Sequence, residues 1–212
     1  MEIHHIPLKF LFDANCYLIH TETGYVLIDT GLKNRRKQLE AAITDAGCNP
    51  GDLKLIIITH GHVDHIGNAA YIRDKYGAMI AMHSGDVKMV TGAGMFADAP
   101  SSLMIKLVGF FMNLTGLGNF ETFTPDILLE DHQNLKEYGL DATVIHTPGH
   151  SKGSISILAS SGDLFCGDIF NGSVESVTTL VDDKSALESS VEQLKNFDAE
   201  AFYPGHGKPF NR

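Results

Sequence analysis

Between Thr59 and Asn68 the chain reads THGHVDHIGN, which places His60, His62, Asp64 and His65 within six residues. Imidazole and carboxylate together suit zinc and other divalent first-row metals. With 11 His and 16 Asp in 212 residues, an H-x-H-x-D-H pattern arises by chance in only about 0.002 of such chains, so unrelated polar loop residues are the poorer reading. Four ligands so close together are more than one tetrahedral ion uses while keeping a position open for water. The stretch therefore points to two ions rather than one.

Something must aim these side chains at one point. The loop follows LKLIIIT (53–59), a β-rich apolar run, and precedes a helical pattern at 69–76 that Gly77 ends. Upstream, strands are expected at 3–7, 15–20 and 25–30, and a helix at 34–46 is stopped by Gly47. Asp29 closes the third strand and reads either as a cap or turn residue or as a carboxylate that fixes a metal-bound imidazole, the turn being slightly preferred. MIAMH (79–83) is a further buried strand, and the βαβ rhythm implies strands covered by helices. His83 at its end reads first as structural.

From 86 to about 124 the composition changes, with four of the seven Met and five of the twelve Phe. Residues 103–117 are apolar nearly all round a helix, yet too few for the roughly 20 needed to span a bilayer. A lid or cap over the active site ranks first, a core helix second and a membrane anchor last. The second half resumes with strands at 127–131, 142–147, 154–160 and 164–168, a helix at 184–197, and AFYPGHG as a final strand and loop. One domain over 1–212, carrying the 86–124 insertion, is the expected organisation.

Composition narrows the function classes. The chain is 43% hydrophobic and 20% charged, as expected for a globular, soluble protein. A net charge of −10 with scattered Lys and Arg argues against nucleic-acid binding. Cys16, Cys48 and Cys166 are odd in number and contain no C-x-x-C, so reduced thiols in a cytoplasmic protein are expected, and MEIHHIPLKF lacks the apolar core of a secretory leader. The expected partner is a small-molecule substrate, without nucleic acid or membrane; a homodimer stays open.

Three more positions complete the set. His150 lies in TPGHSKGS after a strand, Asp168 ends LFCGD, and His206 lies in PGHG between two glycines. With THGHVDHIGN, and in order and spacing over essentially the whole chain, they resemble the metallo-β-lactamase-fold superfamily of hydrolases. The resemblance implies an α+β fold, an αββα sandwich of two mixed sheets face to face with helices on both outer faces. It also implies that His60, His62 and His150 bind one ion, that Asp64, His65 and His206 bind the second, and that Asp168 bridges them. Two divalent ions, zinc first with iron or manganese as alternatives, could hold a bridging hydroxide for attack on a carbonyl or phosphoryl centre. Asp64 is the candidate to orient that hydroxide and take its proton.

Departures from the family's branches narrow the reading further. Zinc β-lactamases generally differ at the position of Asp168 and are exported, so antibiotic hydrolysis is not expected. Glyoxalase II carries a C-terminal helical part that binds glutathione, whereas this sequence runs six residues beyond His206. The nuclease branches bring basic features, and persulfide dioxygenases use one iron with an Arg-containing signature that is missing after Asp168. The small dinuclear hydrolases related to glyoxalase II and acyl-homoserine lactonases remain. A thioester, ester or lactone with an acyl chain is the first substrate class and a phosphodiester the second. Iron-based redox chemistry and a closed, non-catalytic metal site are the rival readings.

Residues near these motifs carry weaker readings. Lys152 reads as an exposed loop residue before a carboxylate anchor, and Asn171 as a turn before an oxyanion donor. His146 reads as a strand residue and Cys166 as buried packing, while nothing in the sequence links His4, His5 or His20 to the cluster.

Overall fold

The structure is a computed structural model that describes residues 1–9, 13–93, 114–116 and 118–212. Its apolar alternation builds two sheets. Strands β1 (Glu2–Leu8), β2 (Ala14–Thr21) and β3 (Gly24–Ile28) form an antiparallel meander. To β3 are added, all parallel, β4 (Leu53–Ile57), β5 (Met79–His83) and β6 (Ile127–Leu129). The second sheet runs in the order β11-β10-β9-β8-β7, with β7 Ala142–His146, β8 Ile155–Ala159, β9 Asp163–Gly167, β10 Ala201–Pro204 and β11 Phe210–Asn211. Only β9 and β10 pair in parallel there, so both sheets are mixed.

The period of two along each strand decides which layer a side chain joins. Tyr17, Ile19, Val26, Ile28, Leu55 and Ile57 point between the sheets and meet Val144, Ile155, Ile157 and Phe165. Their neighbours Leu18, Leu27 and Ile56 face outward onto Leu39 and Ile43 of α1 (Arg36–Asp45) and Ile72 and Tyr76 of α3 (Ala69–Tyr76). On the far side, Leu164, Cys166 and Phe202 pack under Leu187 and Leu194 of α4 (Lys184–Asn196). Helices thus cover both outer faces, and the αββα sandwich expected from the sequence is the fold observed. Gly77 ends α3 at φ 71°, and Asp183 opens α4 by accepting from the Ala186 amide at 3.0 Å, so the helix limits obey ordinary capping chemistry.

The lid or cap expected at 86–124 lies mostly outside the described residues, as does the apolar helix at 103–117. Its described flanks are anchored in the core: Met89, Val90 and Phe123 are buried, and the Phe123 amide donates to the Val90 carbonyl at 3.1 Å. Among the described residues no helix is long and apolar enough to cross a membrane.

Candidate metal centre

The loops that leave β3, β4, β5, β7, β9 and β10 converge along one edge of the sandwich. After β4 the chain bends at Thr59–Gly61, is extended at His62 (φ −75°, ψ 148°), and then winds into the short helix α2 (Val63–Ile66). That change of conformation turns Asp64 and His65 to the second half of the same cluster. His150 follows β7 through Gly149, whose φ is 132° and where a Cβ would lie 2.3 Å from the Leu187 nitrogen, so only glycine lets the loop pass α4.

All seven residues singled out in the sequence are brought together. His60 Nε2, His62 Nδ1 and His150 Nε2 form a triangle with sides of 3.1, 3.0 and 3.1 Å. His206 Nε2 lies 3.2 Å from Asp64 Oδ2 and 3.2 Å from Asp168 Oδ2, and His65 Nε2 lies 3.4 Å from Asp168 Oδ1. Asp168 Oδ2 also stands 3.4 Å from His150 Nε2, so this carboxylate reaches both groups. His60, His65 and His150 are buried, whereas Asp64 and His206 are about a quarter exposed, at 27% and 25% of their side chains.

Outward hydrogen bonds fix which nitrogens carry protons. His150 Nδ1 faces the Leu180 carbonyl at 2.7 Å and His206 Nδ1 faces the Asp13 carbonyl at 2.7 Å; a carbonyl only accepts, so both Nδ1 atoms donate. His60 Nδ1 donates to Thr59 Oγ1 at 3.1 Å, because the Thr59 hydroxyl gives its own proton to Asp29 Oδ2 at 2.8 Å. His65 Nδ1 meets Asp29 Oδ2 at 2.8 Å. In the neutral rings, bare Nε2 atoms therefore point at one another and at two carboxylates.

That arrangement fits metal ions and little else. Among the described residues, the buried His65 Nε2 and Asp168 Oδ1 have no hydrogen-bond partner. Nitrogens bound at about 2.05 Å around one tetrahedral zinc stand about 3.3 Å apart, close to the triangle seen here. The groups His60–His62–His150, His60–His65–Asp168 and Asp64–His65–His206 each present ligand atoms within 4.8 Å of one another.

Electrostatics divide the cluster in two. Burial, aided by neighbouring imidazoles, pushes His60 well below its ordinary value and His62 down to about 4. Burial also disfavours charge on His206, yet its hydrogen bonds to Asp168 and Asp64 raise it to about 10. Against the same burial, Asp168 and Asp29 carry His65 well above its usual value. Burial would raise the carboxylates, but His65 and His206 hold Asp64 at about 2 and, with His60, keep Asp168 well below its usual range. His60 and His62 are thus neutral without a metal, and the second group is an array of cationic imidazoles and carboxylates.

Two sequence readings need correction. Asp29 is a supporting carboxylate, not a cap: it accepts from His65 Nδ1, Thr59 Oγ1 and the Thr59 amide, from a left-handed backbone at φ 59°. His5 is linked to the cluster after all. Its Nε2 donates at 2.8 Å to Asn15 Oδ1, and the Asn15 amide donates to the carbonyls of Pro204 and Gly207, which bracket His206. His83, read as structural, stacks on His146 at 4.0 Å, outside the three groups. Sequence reasoning missed Asp86, Asn15 and Asn68 altogether. Asn68 donates to the Thr30 and Leu32 carbonyls beneath the metal loop, but a lone amide in a helix start has no spacing to betray it.

A fold of two mixed sheets with these loops at one edge is shared with known proteins, and the chain belongs to the metallo-β-lactamase superfamily, which it matches over residues 10–206. Among curated relatives it is 28% identical to the hydroxyacylglutathione hydrolase GloC of Haemophilus influenzae, over 98% of this chain and 91% of GloC. Among solved structures, the di-iron-bound form of TTHA1623 superposes with a TM-score of 0.74 at 27% identity, covering 97% of this chain and 93% of that one. The di-zinc class B3 enzyme LRA-12, from an Alaskan soil metagenome, shares the fold with a TM-score of 0.71 at 23% identity, over 96% and 75% of the two chains.

Proposed function

We propose that this protein is a dinuclear metallohydrolase that cleaves a thioester, ester or lactone of a small acyl-bearing substrate, with a thioester favoured. His60, His62 and His150 would hold one ion, Asp64, His65 and His206 the other, and Asp168 both. The observation that carries this reading is the convergence of imidazole nitrogens on Asp168 from two sides, with two of the buried atoms left without a hydrogen-bond partner among the described residues. Five imidazoles with two carboxylates and no thiolate suit zinc, and also iron or manganese. Bound there, the ions would lower the pKa of a water and polarise the scissile carbonyl.

The chain's own residues supply the rest. Asp64, the more open carboxylate, is the group positioned to take the water's proton, with His206 Nε2 at 3.2 Å from its Oδ2. Asp29, Leu180 and Asp13 orient the rings through their Nδ1 protons, which keeps Nε2 free as a ligand. GloC supports the thioester preference by its name. Three buried free cysteines support a cytoplasmic setting.

The test is elemental analysis of the purified protein followed by turnover on a panel of acyl-thioesters, including glutathione thioesters, lactones and phosphodiesters. About two zinc, iron or manganese ions per chain with thioester hydrolysis support the proposal. A metal-loaded protein that turns over only phosphodiesters overturns the substrate class, and a single iron with no hydrolysis overturns the reaction class.

A further inference from the structure

Asp86 is completely buried and has a role that the metal groups do not account for. It ends a short 3-10 turn (Ser84–Asp86) that leaves β5, and its carboxylate joins two loops from different sheets. Oδ2 accepts from the Gly61 amide at 2.8 Å and from the Ser151 hydroxyl at 2.6 Å, while Oδ1 accepts from the Gly153 amide at 2.7 Å. Gly61 sits between His60 and His62, and Ser151 follows His150. One carboxylate therefore grips both loops that supply the imidazole triangle.

The surroundings are shaped to permit this grip. A Cβ on Gly61 would lie 2.9 Å from Met89 Cβ and 3.1 Å from Asp86 Cβ, and one on Gly153 would lie 2.7 Å from Asp86 Cγ. Glycine at both places lets the backbone amides reach the carboxylate. Behind it, His83 Nδ1 accepts from the Gly85 amide at 3.2 Å, and its ring stacks on His146, whose Nε2 donates to the Lys152 carbonyl at 3.1 Å. The stacked pair thus braces the same junction between β5 and the His150 loop. By contrast, the loop carrying His206 is held from elsewhere, by Asn15 through the Pro204 and Gly207 carbonyls.

We infer that Asp86 is a positioning residue for the His60–His62–His150 ion alone, so that this ion position can be weakened without disturbing the other. The inference rests on the dinuclear reading above. An Asn in place of Asp86 keeps the shape but turns one acceptor oxygen into a donor, which must oppose the Gly61 or the Gly153 amide N–H. Loss of a supporting partner of this kind lowers metal affinity by about 10–100-fold.

The experiment is zinc titration of the full chain, stripped of metal, in two backgrounds. In His206→Ala, which disables the second position, adding Asp86→Asn should raise the Kd of the remaining ion by about 10–100-fold. In His62→Ala, which disables the first, the same addition should leave the Kd unchanged. Ser151→Ala, which deletes one of the three bonds, should give a smaller loss confined to the first position and serves if Asp86→Asn does not fold. Equal losses in both backgrounds, or no loss in either, would overturn the inference. Wild-type protein that fails to bind two ions would instead overturn the dinuclear reading.

Discussion

His65 gives its Nδ1 proton to Asp29 Oδ2 at 2.8 Å, and the same carboxylate receives the amide and the hydroxyl of Thr59. One buried acid thus orients a candidate ligand of the second ion and, through Thr59 Oγ1, the His60 ring of the first. Asp29→Ala should therefore strip support from both positions. Metal affinity is expected to fall about 10–100-fold, and the orphaned Thr59 amide should cost about 1–3 kcal/mol of stability. Metal analysis after dialysis and a denaturant midpoint check this; wild-type values in both would refute the role given to Asp29.

Gly205 is small for a reason that its flexibility does not explain. A Cβ there would stand 2.2 Å from Asp168 Oδ1 and 2.7 Å from His65 Cε1. Gly205→Ala must displace the carboxylate that reaches both halves of the cluster, an overpacking that costs about 1–3 kcal/mol. The expected result is a folded protein with less bound metal and at least a tenfold lower kcat, a fall of about 1.4 kcal/mol or more in transition-state stabilisation. Full activity with full metal would show that Asp168 does not have to sit where it does.

Asp168 itself makes the sharper case. Its Oδ2 lies 3.4 Å from His150 Nε2 and 3.2 Å from His206 Nε2, and its Oδ1 lies 3.4 Å from His65 Nε2. Asp168→Ala should reduce the metal content below two ions per chain and lower turnover by at least about 100-fold. Near wild-type turnover together with two retained ions would sink the bridging assignment.

How far the sequence exposed all this depends on what each residue needs in order to be recognised. His60, His62, Asp64 and His65 announce themselves because one loop carries them all, and His150, Asp168 and His206 because each follows an apolar run and a glycine-bearing turn. The strands were legible because a sheet covered on both faces needs continuous apolar runs such as 55–58. Strand β11 was not, since two residues make no period. Asp29 was misjudged because D-T-G after a strand is also turn chemistry, and only the approach of His65 from 36 residues away separates the two readings. Asp86 left no trace, because its partners Gly61, Ser151 and Gly153 are brought to it by tertiary packing of two sheets.

The unequal protonation of the two halves leads to a calorimetric prediction. His206 is raised to about 10 in the metal-free protein by Asp168 and Asp64 against burial, and His65 is raised as well, so near pH 7.5 both rings hold protons. An ion entering among Asp64, His65 and His206 must expel them. His60 is depressed and His62 lies near 4, so these two rings are already neutral and release none. The sign for folding follows the same shifts. His206 contributes stability that is complete below about pH 6.5 and is lost as pH rises through about 10, whereas His62 contributes stability present above about 6.5 and lost as pH falls toward 4. For binding, affinity at the second position should rise about tenfold per pH unit for each proton expelled, up to about pH 10, and affinity at the first should be flat over the same range. Zinc titrations of His62→Ala and His206→Ala in buffers of different ionisation enthalpy read the proton count of each position directly. One to two protons from the second position and none from the first is the expected result, and equal release from both would contradict the charge division between the two halves.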